Sequence, residues 1–392
     1  VDGSKQNFCT GLCSLIDSFG EAAFFMHSEK NKIKIKRRKR MQKYNQAEEL
    51  LKILDRPAFA VSDGTVILAN DAALQRQVKI GTQIDTILLT GKEAYSTFTD
   101  GRLHLRLSIE DSVWEASVTK AMDVDLFLME RSVNEQELQI MSLAAMQLRT
   151  PLSELMALTN QLFREESIKD PVLLAKLNRS LLSMQRLVGN MADAPRYSNS
   201  ANYMMQTRNV NAYIRELMEK SQHLLEKAGY TLSYTAPEEE IFALVSTERL
   251  ERAIYNLLSN AMKFSPVGSS ISVRLEKCKE KLMLTVTDEG NGLTNKVCEN
   301  VFTRYLREPA IEDSRVGMGL GMLYVCAAAS AHGGTVLLRQ PEGKGLSVTM
   351  TLSIKNNPPG MFHSDIFPID YSGGRDHALL ELSDVLPSEL YE

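Results

Sequence analysis

At 392 residues the chain is too long for one ordinary hydrophobic core, so two or three domains are expected. With 44% hydrophobic and 24% charged residues it reads as a globular protein, not a fibre or a disordered chain. The net charge of −4 hides two opposite ends: nine basic residues and one acidic between Glu29 and Lys43, and seven acidic and one basic between Asn357 and Glu392.

The first segment, 1–44, pairs an amphipathic stretch with that basic run. Phe8 to Met26 is the best candidate for a membrane span, but it contains Asp17 and Glu21. A carboxylate in mid-span costs about 2.5–3.5 kcal/mol on insertion scales. A helix lying on a surface or a partner is therefore expected, and peripheral contact of the basic run with an anionic membrane fits its charge. No nucleic-acid partner is expected. The five cysteines, Cys9, Cys13, Cys278, Cys298 and Cys326, are odd in number and lack metal-ligand spacing. That pattern fits a reducing compartment, hence the cytoplasm, with membrane association if a span precedes Val1.

From 45 to 131 short apolar runs alternate with turn signals. Ala58 to Val61 meets Ser62, Asp63 and Gly64, a tight-turn signature, and Thr65 to Leu68 returns as a second strand. Later runs at Leu103–Ile109, Val113–Val118 and Val124–Met129 make three more strands, with helical stretches between the groups. The prediction is a small α+β domain with an antiparallel sheet. Its order of elements resembles a PAS sensor domain, although a purely structural spacer of the same class fits as well.

Within 132–195 the period changes. Leu138, Met141, Ala145, Leu148, Leu152, Leu155, Thr159 and Leu162 follow alternating steps of three and four, a heptad seam on a long helix. Asp170 can cap and Pro171 open a second helix, whose seam is Leu174, Leu177, Leu181, Met184, Val188 and Met191. Pro195 is expected to stop it, leaving a hinge at Ala192–Asn202. One antiparallel hairpin cannot cover both seams, so two copies should pair into a four-helix bundle as a homodimer.

From 203 to 355 helices at Val210–Lys227, Ser246–Phe264 and Gly319–Ala331 alternate with strands. The strands are expected at Leu232–Tyr234, Ile271–Leu275, Leu282–Thr287, Thr335–Arg339 and Ser347–Ile354. This predicts an α/β sandwich, one mixed sheet covered by helices on a single face. The remainder, 356–392, carries Pro358, Pro359, Gly373 and Gly374 among acidic residues and is expected to be loosely ordered. The whole is thus a multidomain α+β chain.

Three short motifs fall in order in the α/β sandwich. Asn256 and Asn260 lie four apart on one helix face, with Lys263 three further on. Asp288, Gly290 and Gly292 follow an apolar strand, where a carboxylate can accept from an exocyclic amine and glycines let backbone approach a flat ring. Gly317, Gly319 and Gly321 open a helix, whose free N–H groups favour phosphate. Each motif alone is commonplace. Together they supply what ATP with magnesium requires: an amine acceptor, a cation, amide-oxygen ligands and a phosphate cradle.

Over Leu250 to Leu352 the sequence resembles the ATP-binding domain of sensor histidine kinases, members of the GHKL ATPase superfamily. The resemblance implies that Asn256 to Lys263 is the asparagine box, with Asn260 the Mg2+ ligand and Lys263 a phosphate contact. Asp288 would bind the adenine amine, with Gly290 and Gly292 beside the ring. Val301 to Arg307 looks like the phenylalanine box that tethers the lid, and Gly317, Gly319, Leu320 and Gly321 would close over the phosphates. His332 with Gly333 and Gly334 also matches, in a structural place at a helix end.

The hairpin resembles the same family at Leu148, Arg149, Thr150, Pro151 and Leu152. There the phosphoacceptor histidine and an acidic residue come first; here Met146 and Gln147 stand in those places. A thioether cannot take up a phosphoryl group as imidazole does, and an amide cannot act as the carboxylate base. None of the six histidines lies on this helix, so self-phosphorylation at the motif is expected to be lost, and Met146 reads as surface filler beside Ala145. Pro151 inside a long helix costs about 3 kcal/mol or more. Thr150 has two readings: by resemblance it orients water in dephosphorylation of a partner response regulator, or it merely bonds back to its own turn.

Three functions are compatible. The first is a histidine-kinase-like protein that binds Mg-ATP and acts in a two-component system without phosphorylating itself. It would then be a phosphatase of a response-regulator receiver domain, or the partner of an active kinase in a mixed dimer. The second is a non-catalytic, ATP-gated interaction module, and the third a GHKL serine kinase of a regulatory protein.

Overall fold

The computed structural model describes residues 47–110, 112–121, 124–130, 135–164, 170–198, 204–292, 320–341, 345–354 and 376–391. Strands β1 (Ala58–Ser62) and β2 (Thr65–Ala69) form the expected hairpin, and its turn residues Asp63 and Gly64 both have positive φ, at 50° and 74°. That is the backbone hand that continues the twist of two strands through a two-residue loop. Three short helices, α1 (Asp71–Gln75), α2 (Ile84–Ile87) and α3 (Lys92–Ser96), lead to β3 (Arg102–Ile109), β4 (Ser112–Ala121) and β5 (Val124–Glu130). The five strands lie in the order β2-β1-β5-β4-β3, all neighbours antiparallel. Phe59 and Phe127 stack at the centre of this unit's core, with ring centroids 4.8 Å apart.

Two long helices follow. In α4 (Glu135–Arg164) and α5 (Pro171–Ser198), Asp170 caps the second by accepting from Val172 N–H at 2.9 Å. Ser142 near the start of α4 donates to the Ala192 carbonyl near the end of α5 at 2.8 Å, so the pair is antiparallel. Among the heptad positions Ala145, Leu152 and Thr159 are buried with Leu174, Leu181 and Val188, Met141 and Met191 are half-buried, and Leu148, Leu155, Leu162, Leu177 and Met184 are exposed. Contrary to expectation, Pro195 does not stop α5, which runs to Ser198.

The C-terminal unit begins with β6 (Gln206–Asn209), which pairs with β8 (Phe242–Val245) in a two-stranded sheet missing from the sequence reading. Between them lie α6 (Val210–Lys227) and β7 (Thr231–Thr235). Helix α7 (Thr247–Phe264) buries most of its length, then β9 (Ser270–Cys278), β10 (Lys281–Thr287), α8 (Gly321–Ala331), β11 (Val336–Arg339) and β12 (Ser347–Ser353) complete the layer. Strict alternation buries Leu282, Leu284 and Val286 of β10 and Val348, Met350 and Leu352 of β12 against the helices, the period-two signature of a sheet with one covered face.

The two sheets are not separate. β11 pairs antiparallel with β3 at Leu337–Leu103 and Val336–His104, giving ten strands in the order β2-β1-β5-β4-β3-β11-β12-β10-β9-β7. The sequence reading placed these strands in two independent domains; an edge-to-edge union leaves no trace in either strand's own pattern.

A second correction concerns the acidic C-terminus. Of 356–392, the expected loose tail, residues 376–391 fold into α9 (His377–Glu381) and a 3-10 turn, Ser388–Tyr391. Asp376 caps α9 by accepting from Leu379 N–H at 3.0 Å, and Leu380, Leu382 and Leu386 are buried in the same core as α5 and α7. Among the described residues no helix is long and apolar enough to cross a membrane.

Candidate functional site

Helix α7 carries the predicted amides and cation. Its arrival point is fixed by His332, whose Nε2 accepts from Ser246 N–H at 2.9 Å, just before the first turn. Asn256 is buried; its Nδ2 donates to the Arg252 carbonyl at 2.7 Å and its Oδ1 faces Arg186 Nη2 of α5 at 3.4 Å. Gly321, at the start of α8, sits against both asparagines: a Cβ there would be 3.0 Å from Asn256 Oδ1 and 3.7 Å from Asn260 Nδ2. The helix start thus sits close against both amides, and a side chain at 321 would crowd Asn256 while only touching Asn260. Leu320, buried, leads into this turn, and its carbonyl accepts from Tyr324 N–H at 3.2 Å.

Asp288 ends β10. Its Oδ1 accepts from Gly290 N–H at 2.8 Å and Leu346 N–H at 3.1 Å. Burial pushes the carboxyl above its ordinary range, and those two N–H groups pull the other way. Gly290 brings this loop onto the end of α7, since a Cβ there would stand 2.5 Å from the Phe264 carbonyl oxygen. Gly292 turns the chain at φ 70° beside Gln340. So Asp288, Gly290, Gly292, Asn256, Asn260, Lys263, Leu320 and Gly321 gather around one helix and two loops. Arg307, Gly317, Gly319 and the Val301–Arg307 stretch lie outside the described residues.

Lys263 is not free to meet a ligand. Its Nζ pairs with Asp384 of the C-terminal segment, and Asp384 also accepts from Arg186 and from Ser259 Oγ, the last at 3.2 Å. Three residues earlier Glu381, 1% exposed, bridges Arg186 Nε at 3.1 Å and Arg252 Nε at 3.3 Å. Arg252 further pairs with Asp193 at 2.9 Å, and Tyr324 donates to the Asn190 carbonyl at 2.6 Å. Burial opposes the charge on Asp384, but Arg186 and Lys263 outweigh it and hold its carboxyl below the usual range. Burial likewise pushes Lys263 down, with Asp384 opposing that shift. Two cations facing one carboxylate favour the ionised arrangement.

None of Arg186, Arg252, Glu381 or Asp384 stood out in the sequence. Two signals were available. Ala378, Leu379, Leu382, Val385 and Leu386 recur at helical spacing behind Asp376, a capped amphipathic start inside the supposed tail. Arg186 lies off the heptad seam, where a cation reads as solvated until a partner is known.

On α4 Met146, where the resemblance places the acceptor, is 56% exposed, and Thr150 is exposed one turn on. Arg149 and Ser153 of the same helix line a cavity completed by Arg186, Arg252 and Glu381.

Residues 246–356 match the family described as histidine kinase-, DNA gyrase B- and HSP90-like ATPase. Hybrid signal transduction histidine kinase D of Dictyostelium discoideum is 28% identical over 241 residues, 58% of this chain and 15% of its own length. Sensor histidine kinase WalK of Bacillus subtilis is 27% identical over 239 residues, 58% of this chain and 38% of its own. A solved structure, full-length ShkA in complex with AMPPNP, aligns at 18% identity over 58% of this chain and 48% of that one, with a TM-score of 0.47. The chain therefore spans less than half the length of either relative. The matched region is an ATPase domain of the GHKL type. Beyond that region, the chain is similar to sensor histidine kinases over part of their length.

Proposed function

We propose that this chain binds Mg-ATP in its C-terminal unit and acts in two-component signalling without phosphorylating itself at the position of Met146. The observation that carries the reading is the meeting of Asn256, Asn260 and the N-terminal turn of α8 at Gly321, with Asp288 brought beside the same helix by Gly290. Asp288 has one oxygen held by backbone and offers Oδ2 to an exocyclic amine. Asn260 offers a hard amide oxygen of the kind Mg2+ accepts, and that ion keeps most of its coordination from water and phosphate. The N–H groups opening α8 suit the phosphates, as does the Lys263 ammonium once Asp384 leaves it.

The exposed half of the heptad seam supports a homodimer: Leu148, Leu155 and Leu162 repeat every seven residues on α4, and Leu177 and Met184 do so on α5. A second copy would cover that stripe and close a four-helix bundle. Exposed Thr150 is then presented to a response-regulator receiver domain, where it serves in dephosphorylation; in a mixed dimer, the ATP unit instead phosphorylates the histidine of an active kinase. The order of the first five strands supports reading 45–131 as a PAS-like sensor unit.

Isothermal titration of the full chain with ATP and Mg2+ tests the reading, with Asn260→Ala as control. Uptake lost in the variant supports it; no uptake by the parent chain, or equal uptake by both, overturns it. Acid-labile label on the parent chain after incubation with labelled ATP would refute the missing-acceptor part.

A further inference from the structure

We propose that the C-terminal segment Asp376–Tyr391 is a built-in competitor for the nucleotide's phosphates, with the Asp384 carboxylate seated on Lys263 in the place a phosphate oxygen would take. The proposal rests on the nucleotide-site reading given above and adds a regulatory element to it.

The argument starts from charge. Arg186 is buried and the Lys263 side chain is 9% exposed, and a cation so covered must be paired. Among the described residues, the carboxylates paired with them, Glu381 and Asp384, both come from this one segment. A triphosphate entering the site brings several negative charges to the same cations, so segment and nucleotide are alternative answers to one electrostatic demand.

Geometry makes the two mutually exclusive at Lys263. Arg252, Asn256, Ser259 and Lys263 follow one another at steps of four, three and four, a single stripe of α7. Glu381 holds the first of these and Asp384 the last two, and Arg186, anchored by both carboxylates, reaches Asn256 between them. The stripe bearing Asn256 and the phosphate contact Lys263 is thus strapped to α5 while the segment is seated.

The seat is built for the segment. Leu380, Leu382 and Leu386 are buried, Arg179 of α5 donates to the Ser383 carbonyl at 3.1 Å, and Asn178 donates to the Tyr391 carbonyl at 3.0 Å. The two hydrogen bonds from Asn178 and Arg179 lie on the hairpin and do not involve the nucleotide-site residues. The segment can therefore give up Asp384 while its apolar side keeps it near. Nucleotide binding and release of the ATP unit from the hairpin become one linked event, because a ligand shifts an equilibrium by its difference in affinity between the two states.

The test uses the full chain and its Asp384→Asn variant, which keeps shape and removes the charge. In calorimetric titrations with ATP and Mg2+, the variant is expected to bind at least tenfold tighter than the parent. Equal affinity overturns the competitor and leaves the nucleotide site standing. No uptake by either protein overturns the nucleotide reading, and this proposal with it. Hydrogen exchange on the parent chain gives a readout that does not depend on the variant's folding. Saturating Mg-ATP is expected to speed exchange of amides within Asp376–Tyr391, and unchanged or slowed exchange there overturns the proposal.

Discussion

His332 and Ser246 stand 86 positions apart, and the ring Nε2 of one accepts the backbone N–H of the other at 2.9 Å. The Nδ1 lies 2.6 Å from the Ala328 carbonyl, so this nitrogen carries the proton and the ring is neutral. Burial pushes the imidazole below its ordinary pKa, with the Ala328 carbonyl opposing and Arg249 adding to the effect. A depressed folded-state pKa contributes stability that is complete above the unfolded value of about 6.5 and is lost as pH falls through the folded value. Urea midpoints should therefore fall more steeply on acidification in the parent chain than in His332→Gln, whose amide oxygen keeps the acceptor without the titration. His104 has the opposite sign: burial lowers it, but Cys326 and Glu115 prevail and raise it well above its ordinary value. For that reason the check is the difference between parent and variant slopes, not the parent's slope alone. Equal slopes would refute the assignment.

Asp288 is strained in the electrostatic sense: its carboxyl is raised, chiefly by burial. A carboxyl raised in the folded state contributes stability only below its unfolded pKa of about 3.9, and loses it as pH rises through the folded value. At neutral pH the charge is a cost to the fold. Asp288→Asn keeps an acceptor for Gly290 and Leu346, so its denaturation midpoint at pH 7 should equal or exceed the parent's. Affinity for ATP should fall by about tenfold to a hundredfold, the worth of one hydrogen bond to a charged group. Thermal melts and titration calorimetry check both halves, and a variant that melts lower while binding normally would contradict the assignment.

The hairpin separates stability from assembly by position in the heptad. Leu152 is buried inside the hairpin and Leu155, three residues on, is exposed. Leu152→Ala should cost about 2–5 kcal/mol in chemical denaturation, as for other buried leucines. Leu155→Glu should leave the hairpin's own packing intact and shift the particle mass from dimer to monomer, read by light scattering after size exclusion. An unchanged mass in Leu155→Glu would count against the exposed stripe as the dimer contact.

Much of this was legible in the sequence because it is local. The amide and cation spacing of Asn256, Asn260 and Lys263 is set by one helical period, and Asp288 by a strand end. What escaped notice is the non-local pairing. Glu381 lies 195 residues from Arg186, and Asp384 lies 125 from Ser259. Acidic residues near prolines and glycines read as solvated until the buried cations that need them are placed. The β3–β11 union is hidden for a related reason: an edge strand's side-chain pattern reports which face is buried, not whether its backbone edge is taken.

Met146 sets the last expectation. It lies exposed on α4, three residues before Arg149, so both fall on neighbouring positions of one helical face. Arg149 lines the cavity that Arg186, Arg252 and Glu381 complete at the junction with α7. A nucleophile at 146 would therefore stand on the side of the hairpin that carries the ATP unit. Imidazole supplies the phosphoryl acceptor that thioether lacks, and a carboxylate at 147 supplies the base that Gln147 lacks. The double variant Met146→His with Gln147→Glu, incubated with labelled ATP and Mg2+, should acquire label that is lost in acid, while the parent chain stays unlabelled. Adding Asn260→Ala should abolish the gain, because the label then has no nucleotide to come from. If the double variant binds ATP but remains unlabelled, the loss lies deeper than two side chains, in the way the ATP unit is held against the hairpin.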